Sequence, residues 1–294
     1  MSNIKTSTNL SSANKNADKD NTTADDLSTK IEPSTTQDQA PSSYKEMNVL
    51  AEYPQYLKTI WLENGDTYYG QLVNNLFDGY GTLHYSKSDP LDRKYYKGAW
   101  KEGKREGYGT LKFKNGSKYK GECKNDMANG LGVFMYHNGE KYIGDWVDDK
   151  AHGKGKFYYL KGDVYNGDWK NNYKDGNGSY TYVTGECYEG EYQKNCMNGY
   201  GVYSYENGDV YMGNFVNNIK CGYGELIYKL GDKYKGQFKN DQKEGEGKFV
   251  NTSGHCWKGM FVNDKLFGFA IFIGVNGEKY KGEFMNNERH GFGV

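Results

Sequence analysis

The chain has 294 residues, with 38 Lys+Arg balancing 38 Asp+Glu, and it holds 40 Gly, 29 Tyr and only 4 Pro. Hydrophobic residues reach 36%, below the ~45–50% of an ordinary globular domain, while aromatics reach 16%. That balance excludes a thick aliphatic core and leaves tyrosine to supply the burial. A mean hydropathy of −0.96 with no run near ~18 apolar residues excludes a transmembrane helix.

Taken in chain order, residues 1–43 contain no aromatic residue and no glycine, and Ser, Thr, Asn, Asp and Lys dominate them. So little apolar surface cannot offset the entropy of ordering the backbone, so residues 1–50 are expected to form a disordered tail. The opening MSNIKTSTNLSSANKN lacks the apolar stretch of a signal peptide, which places the expected protein in the cytosol. The tail carries five Lys and seven Asp/Glu, which argues against a basic arm for nucleic acid or acidic lipid. Residues 51–64, with Tyr53, Tyr56 and Ile60-Trp61-Leu62, read as a lead-in that caps the first edge of a folded array over 65–294.

Within that array the phrase Tyr-x-Gly recurs every 23 residues at Tyr96, Tyr119, Tyr142, Tyr165, Tyr188, Tyr211, Tyr234 and Tyr280, with Trp257 in the same register. An earlier copy opens at Tyr68, and the five-residue excess before Tyr96 falls in Ser86–Lys94 around Pro90. Ten copies result. Paired Asn/Asp residues, such as Asp148-Asp149 and Asn217-Asn218, recur between two β-favouring runs, and these residues tolerate positive φ. A second turn signal, Asn64-Gly65 or Asn207-Gly208 for example, precedes each Tyr, and Asn-Gly is a strong hairpin marker. Two turns per unit predict two short antiparallel strands, hence about twenty strands in an all-β, elongated, twisted, single-layer antiparallel meander. The Gly-x-Gly of each second strand, such as Gly107-Tyr108-Gly109, is expected to let rings from neighbouring copies lie across side-chain-free positions.

Tyr-x-Gly-x-Trp/Phe, an Asn/Asp turn, Gly-x-Gly and a closing Asn-Gly resemble the MORN repeat, from about Gly65 to Val294. The resemblance implies stacked hairpins with a shallow groove. Arrays of this family occur in radial-spoke heads of ciliary axonemes, in cytoskeletal and membrane-junction scaffolds, and as extensions of lipid kinases and a methyltransferase. Catalysis in such members sits in another domain, which none of the segments here resembles, so no enzyme is expected. Leu72, Cys123 and Tyr192 depart from the second aromatic, Trp257 from the first Tyr and Ala270 from the second Gly, so the ninth copy is expected to pack differently.

Sites of chemistry do not assemble in the sequence. No phosphate loop or dinucleotide fingerprint leads into a helix. The five histidines lie near hairpin ends without ligand spacing, and the five cysteines include no CxxC pair, so no metal or cofactor is expected and the thiols read as reduced. Carboxylates recur once per unit at Glu122, Asp145, Asp168, Glu191 and Glu283 instead of converging as an acid/base couple would. Single-stranded nucleic acid favours stacked rings but needs a positive groove, and residues 51–294 carry 33 Lys+Arg against 31 Asp+Glu.

The expected function is therefore a non-enzymatic scaffold that docks proteins of a cytoskeletal complex, with the resemblance pointing to the radial-spoke head of the cilium or flagellum. The ten repeat-defining aromatics read mainly as sheet core. The last residues, Phe292, Gly293 and Val294, are a candidate partner edge, including for a second copy of the chain. The alternative is a peripheral membrane module for acidic phosphoinositides, through Lys94, Lys97, Lys101, Lys104, Arg105, Lys112 and Lys114, a run interspersed with acids.

Overall fold

A computed structural model describes residues 57–294. The expectations for the tail and for 51–56 fall outside the described residues. Two units divide the described chain, one running to Tyr173 and the other from Lys174. The first holds β1 (Leu57–Trp61), β2 (Thr67–Val73), β3 (Leu76–His84), β4 (Arg93–Lys101), β5 (Lys104–Phe113), β6 (Lys118–Lys124), β7 (Met127–Met135), β8 (Lys141–Val147), β9 (Lys150–Tyr158) and β10 (Val164–Lys170). The second, entered along β11 (Tyr173–Thr181), holds β12 (Cys187–Gln193), β13 (Cys196–Ser204), β14 (Val210–Val216), β15 (Ile219–Ile227), β16 (Lys233–Lys239), β17 (Gln242–Val250), β18 (Cys256–Val262), β19 (Lys265–Ile273), β20 (Lys279–Met285) and β21 (Glu288–Gly293). Each unit is a single-layer meander in which every strand pairs antiparallel with its neighbours in sequence. The strand beyond the twenty of the ten hairpins is β1, which pairs along β2 from Leu57↔Gln71 to Trp61↔Thr67.

The two turns of a repeat differ in kind. Asn217 and Asn218 have φ of 51° and 70° in a two-residue loop between Val216 and Ile219, and both central residues are left-handed as in a type I′ turn. The Asn-Gly signal instead closes a wider turn. Gly208 takes φ 92° and its N–H bonds Tyr205 O at 2.9 Å, while Tyr205 N–H bonds Asp209 O. The tight hairpin is thus built by the Asn/Asp pairs, and the glycine serves as the left-handed residue that ends the longer turn.

Burial is concentrated in one column. Tyr68, Tyr96, Tyr165, Tyr188, Tyr211 and Tyr234 are each 0% exposed. The ring lies over the glycines of its own repeat, not a neighbour's: Tyr142 covers Gly144 and Gly155, which face each other across β8 and β9. Its hydroxyl donates to Asp145 O at 2.9 Å, and the same bond recurs from Tyr119 to Glu122 O and from Tyr234 to Gln237 O. A buried phenol therefore keeps its hydrogen bond. The neighbouring copy enters edge-on: Trp169 stands 5.2 Å from Tyr142 at 82° and donates its indole N–H to Gly155 O. Tyr165–Trp169 within one repeat is also edge-on, at 5.3 Å and 84°, so T-shaped contacts alternate along the column.

The ninth repeat follows a different rule. The Cβ of Ala270 occupies the space a ring would take over Gly259, and Leu266, 2% exposed, fills in below. Trp257 turns instead to Phe249 and Phe272, with centroids at 5.7 and 5.1 Å.

Adjacent repeats are laced along the turns. From Asp126 onward the second residue of each type I′ pair donates its N–H to a carbonyl of the preceding repeat and accepts that same residue's N–H on its side-chain oxygen: Asn218 does so with Met197, Asn172 with Ala151, Asp241 with Lys220 and Asn287 with Leu266. The opposite edge carries a matching set, Ser86 N–H to Asp66 and Lys229 N–H to Asp209 among them.

An added Cβ at Gly155 would stand 2.3 Å from the Tyr142 hydroxyl. Gly155→Ala is expected to cost about 1–3 kcal/mol in urea unfolding through overpacking. In a Tyr142→Ala background the same change should cost markedly less, and that non-additivity is the readout.

Candidate functional site

Alternation along the strands gives the sheet two faces. One holds the rings and is closed by its own packing; the other, here the outer face, carries the residues between. The recurring carboxylates sit on this outer face, and most of them serve their own repeat while Asp168 reaches the preceding one. In β8–β9 the pairing skips from Gly144↔Gly155 to Trp146↔Ala151, so β9 bulges opposite Asp145. Gly153 takes φ 62° in that bulge, and the Asp145 carboxylate accepts the N–H of Lys154 at 2.8 Å. Glu191 accepts Tyr200 N–H beside Gly199, and Gln71 accepts Tyr80 N–H beside Gly79. Glu122 and Glu283 lie over Gly130 and Gly291 in the same way, and Asp168 forms an ion pair with Lys154. The first glycine of Gly-x-Gly thus supplies the bulge and the second receives the ring. This role escaped the sequence analysis, although a Gly-Glu/Asp/Gln eight or nine residues before Gly-x-Gly marked it.

A second unforeseen set of residues lies nine positions after the repeat Tyr. Lys220 Nζ bonds the Tyr205 hydroxyl at 3.0 Å and lies 5.6 Å from the Tyr211 ring centroid, and Lys243 repeats both contacts with Tyr228 and Tyr234. Lys174 stands over Tyr180 and Tyr192, and Arg289 over Phe272 and Tyr280. In the second repeat this slot holds Arg105, only 5% exposed, lying 5.6 Å from the Tyr96 ring and bonded to Asp126 O. The ring that would stand on Tyr96 from the next repeat is missing because Cys123 replaces it, and Arg105 takes that place. Cys123 is buried beside it, and burial pushes the thiol up to about 11.

The sequence-predicted site residues separate accordingly. Eight of the repeat tyrosines are buried core, whereas Trp257 and Tyr280 are half-buried. Of the basic run, Lys97, Lys101, Lys104 and Lys112 occupy the outer face, Lys94 sits in a bulge of β4, and Lys114 bonds Lys87 O. Arg105 does not join them, since it faces the rings. Asp89, in the long connection, is held by Arg93 at 2.7 Å; burial would raise its carboxyl, but the Arg93 hydrogen bonds and charge bring it below the usual range. Gly293 pairs with Gly282 and Val294 exchanges two backbone bonds with Lys281, while the Phe292 and Val294 side chains are 89% exposed. Among the described residues no group of three or more His, Cys, Asp or Glu is placed to hold a metal ion, and no helix is long and apolar enough to cross a membrane. In the second unit a shallow depression of about 490 Å³ opens on Tyr223, Gln237, Phe238 and Met260.

The profile of the MORN repeat matches ten times, over residues 68–89 and then end to end from 96–118 through 257–279 to 280–294. The chain belongs to the MORN-repeat family. Except at Trp257, the MORN boundaries open on the repeat tyrosines, the residues that cover the glycine pairs. No curated protein matches the chain. Among solved structures it is similar to the SAS-4 (dCPAP) TCP domain of Drosophila melanogaster, solved with a proline-rich motif of Ana2 (dSTIL), at 16% identity and TM-score 0.35, covering 54% of this chain and 86% of that one. It is also similar to the G-box domain of the microcephaly protein CPAP, at 12% identity and TM-score 0.41, covering 60% and 93%. At these scores the likeness says nothing about partners.

Two measurements test the buried groups. Because reaction with iodoacetamide needs a thiolate, Cys123 should be alkylated at pH 8 only after unfolding, whereas Cys187, Cys196, Cys221 and Cys256, all partly exposed, should react in the folded chain, as peptide mass spectrometry would show. Burial also raises Tyr68, Tyr96, Tyr142, Tyr188, Tyr211 and Tyr234. Above pH 9 the unfolded Cys123 thiol, and above pH 10 the unfolded phenols, lose protons that the folded state retains. Stability should therefore be intact below pH 9 and fall as pH rises beyond it, and tyrosinate absorbance should appear together with loss of the sheet signal in circular dichroism.

Proposed function

We propose that this MORN array is a non-enzymatic protein-interaction scaffold of a cytoplasmic cytoskeletal assembly, and that its setting is the radial-spoke head of the ciliary or flagellar axoneme. The observation that carries the reading is how the reactive side chains are used. Glu191 and Asp145 serve strand bulges, Asn218 and Asp241 lace turns, and the Tyr hydroxyls bond their own backbone. What each repeat offers to other molecules is surface, repeated at a fixed spacing, and MORN arrays are typically non-enzymatic. The axonemal setting rests on family analogy. A phosphoinositide-binding reading has less support, because Arg105 is buried and Lys114 is tied to the Lys87 carbonyl.

Proximity labelling from the tagged chain in its own ciliated cell, with microscopy of the tag, is the test. Recovery of spoke or microtubule-associated proteins and a tag along the axoneme is the expected result. A diffuse tag absent from isolated axonemes would overturn the axonemal setting, and neighbours dominated by lipid kinases and plasma-membrane proteins would overturn the scaffold reading in favour of a membrane module.

A further inference from the structure

On the outer face of the first unit, cross-strand pairing draws lysines from distant points of the chain into two adjacent rows. One row runs Tyr95↔Lys112↔Lys118↔Met135↔Lys141↔Tyr158↔Val164. The next runs Lys97↔Thr110↔Lys120↔Val133↔Ile143↔Lys156↔Asn166. Six lysines stand in these rows and no carboxylate does. Lys112 and Lys118 lie directly opposite each other, where like charges destabilise a sheet. The sequence therefore accepts a local repulsion that an anion between the rows would relieve.

The third row of the same face is acidic: Glu122, Asp145 and Asp168 occur two residues beyond Lys120, Ile143 and Asn166 in their strands. A flat anionic surface laid on this face would meet those carboxylates along with the lysines. A narrow anionic ligand running across the strands, between the first two rows, meets only the lysines. From β4 to β9 is five strand spacings, about 24 Å at ~4.8 Å each, which is roughly seven residues of extended chain.

We infer that the Lys97–Lys156 face of the first unit is a docking surface for an extended acidic segment of a partner protein, its carboxylates seated between the two lysine rows. This rests on the scaffold reading and names the chemistry of one of its partners. Tyr108 and Tyr158, with Lys120 at 5.9 Å and Lys141 at 4.3 Å from their ring centroids, border the track and hold lysine stems on the face.

The test is fluorescence anisotropy of the full chain with a fluorescein-labelled peptide of ten glutamates, at several salt concentrations. Saturable binding is expected, weakening at least tenfold in the triple variant K112E/K118E/K141E. The control triple K124E/K150E/K170E, which reverses exposed lysines at strand ends, should change affinity less than threefold. Lys112→Glu alone replaces a repulsive pair by an attractive one, so it should melt no lower than the parent chain while binding at least threefold more weakly, which separates docking from folding. Equal loss in both triple variants would overturn the inference in favour of diffuse electrostatics. Binding of vesicles of phosphatidylcholine with phosphatidylserine, lost in K112E/K118E/K141E, together with no binding of the peptide, would overturn it in favour of a membrane. Partners recovered by proximity labelling that persist with K112E/K118E/K141E would overturn this inference and leave the scaffold reading standing.

Discussion

The structure depends on one constraint: the opening tyrosine of a repeat lies flat in a single-layer sheet because the two facing glycines beneath it have no side chains. In β8 and β9 the Tyr142 ring fills the space above Gly144 and Gly155, so a layer that has no second sheet to pack against makes its core out of its own glycines. The hydroxyl must then find an acceptor, and it takes the carbonyl three residues on, which the adjacent bulge brings into reach. The bulge in turn takes a left-handed glycine, Gly153, and the Asp145 side chain receives the N–H of Lys154 that the ladder leaves unpaired. Ring, glycine pair and bulge are consequences of one another.

This coupling explains why departures from the pattern come with compensation. Where Cys123 removes a ring from above Tyr96, Arg105 enters with its guanidinium over the exposed face and Asp126 beside it. Where Ala270 denies a ring its place, Leu266 fills the cavity and Trp257 packs outward among phenylalanines. A buried arginine needs a partner at hand, and the type I′ turn of the next hairpin supplies one in Asp126 without further change to the repeat.

Much of this was legible in the sequence because it is periodic. The 23-residue register from Tyr96 to Tyr280 fixes strand number per repeat, turn positions and the buried column, since side chains between the bulges alternate from face to face. What stayed hidden is relational. The ring of Tyr142 covers its own glycines, not a neighbour's, because the intervening type I′ hairpin folds β9 back directly beneath it. The carboxylates looked dispersed because their partners are backbone N–H groups, which no residue type announces. The lysine rows were read as a run from Lys94 to Lys114, whereas register brings Lys112, Lys118 and Lys141 together and turns Arg105 to the other face.

The lacing between turns also bears on how such a chain can change length. Each Asn or Asp reaches back to the backbone of the preceding hairpin over a separation of 21 residues, as in Asn218 to Met197 and Asn287 to Leu266. Duplication or loss of one whole hairpin unit leaves every such bond with an equivalent partner, while insertion of a single residue within a strand throws its rings to the wrong face and breaks the bond as well. The extra residues before Tyr96 fall in a connection between strands, where Asp89 and Arg93 tie the loop to itself. A change of chain length that preserves the lacing is thus a whole-unit step.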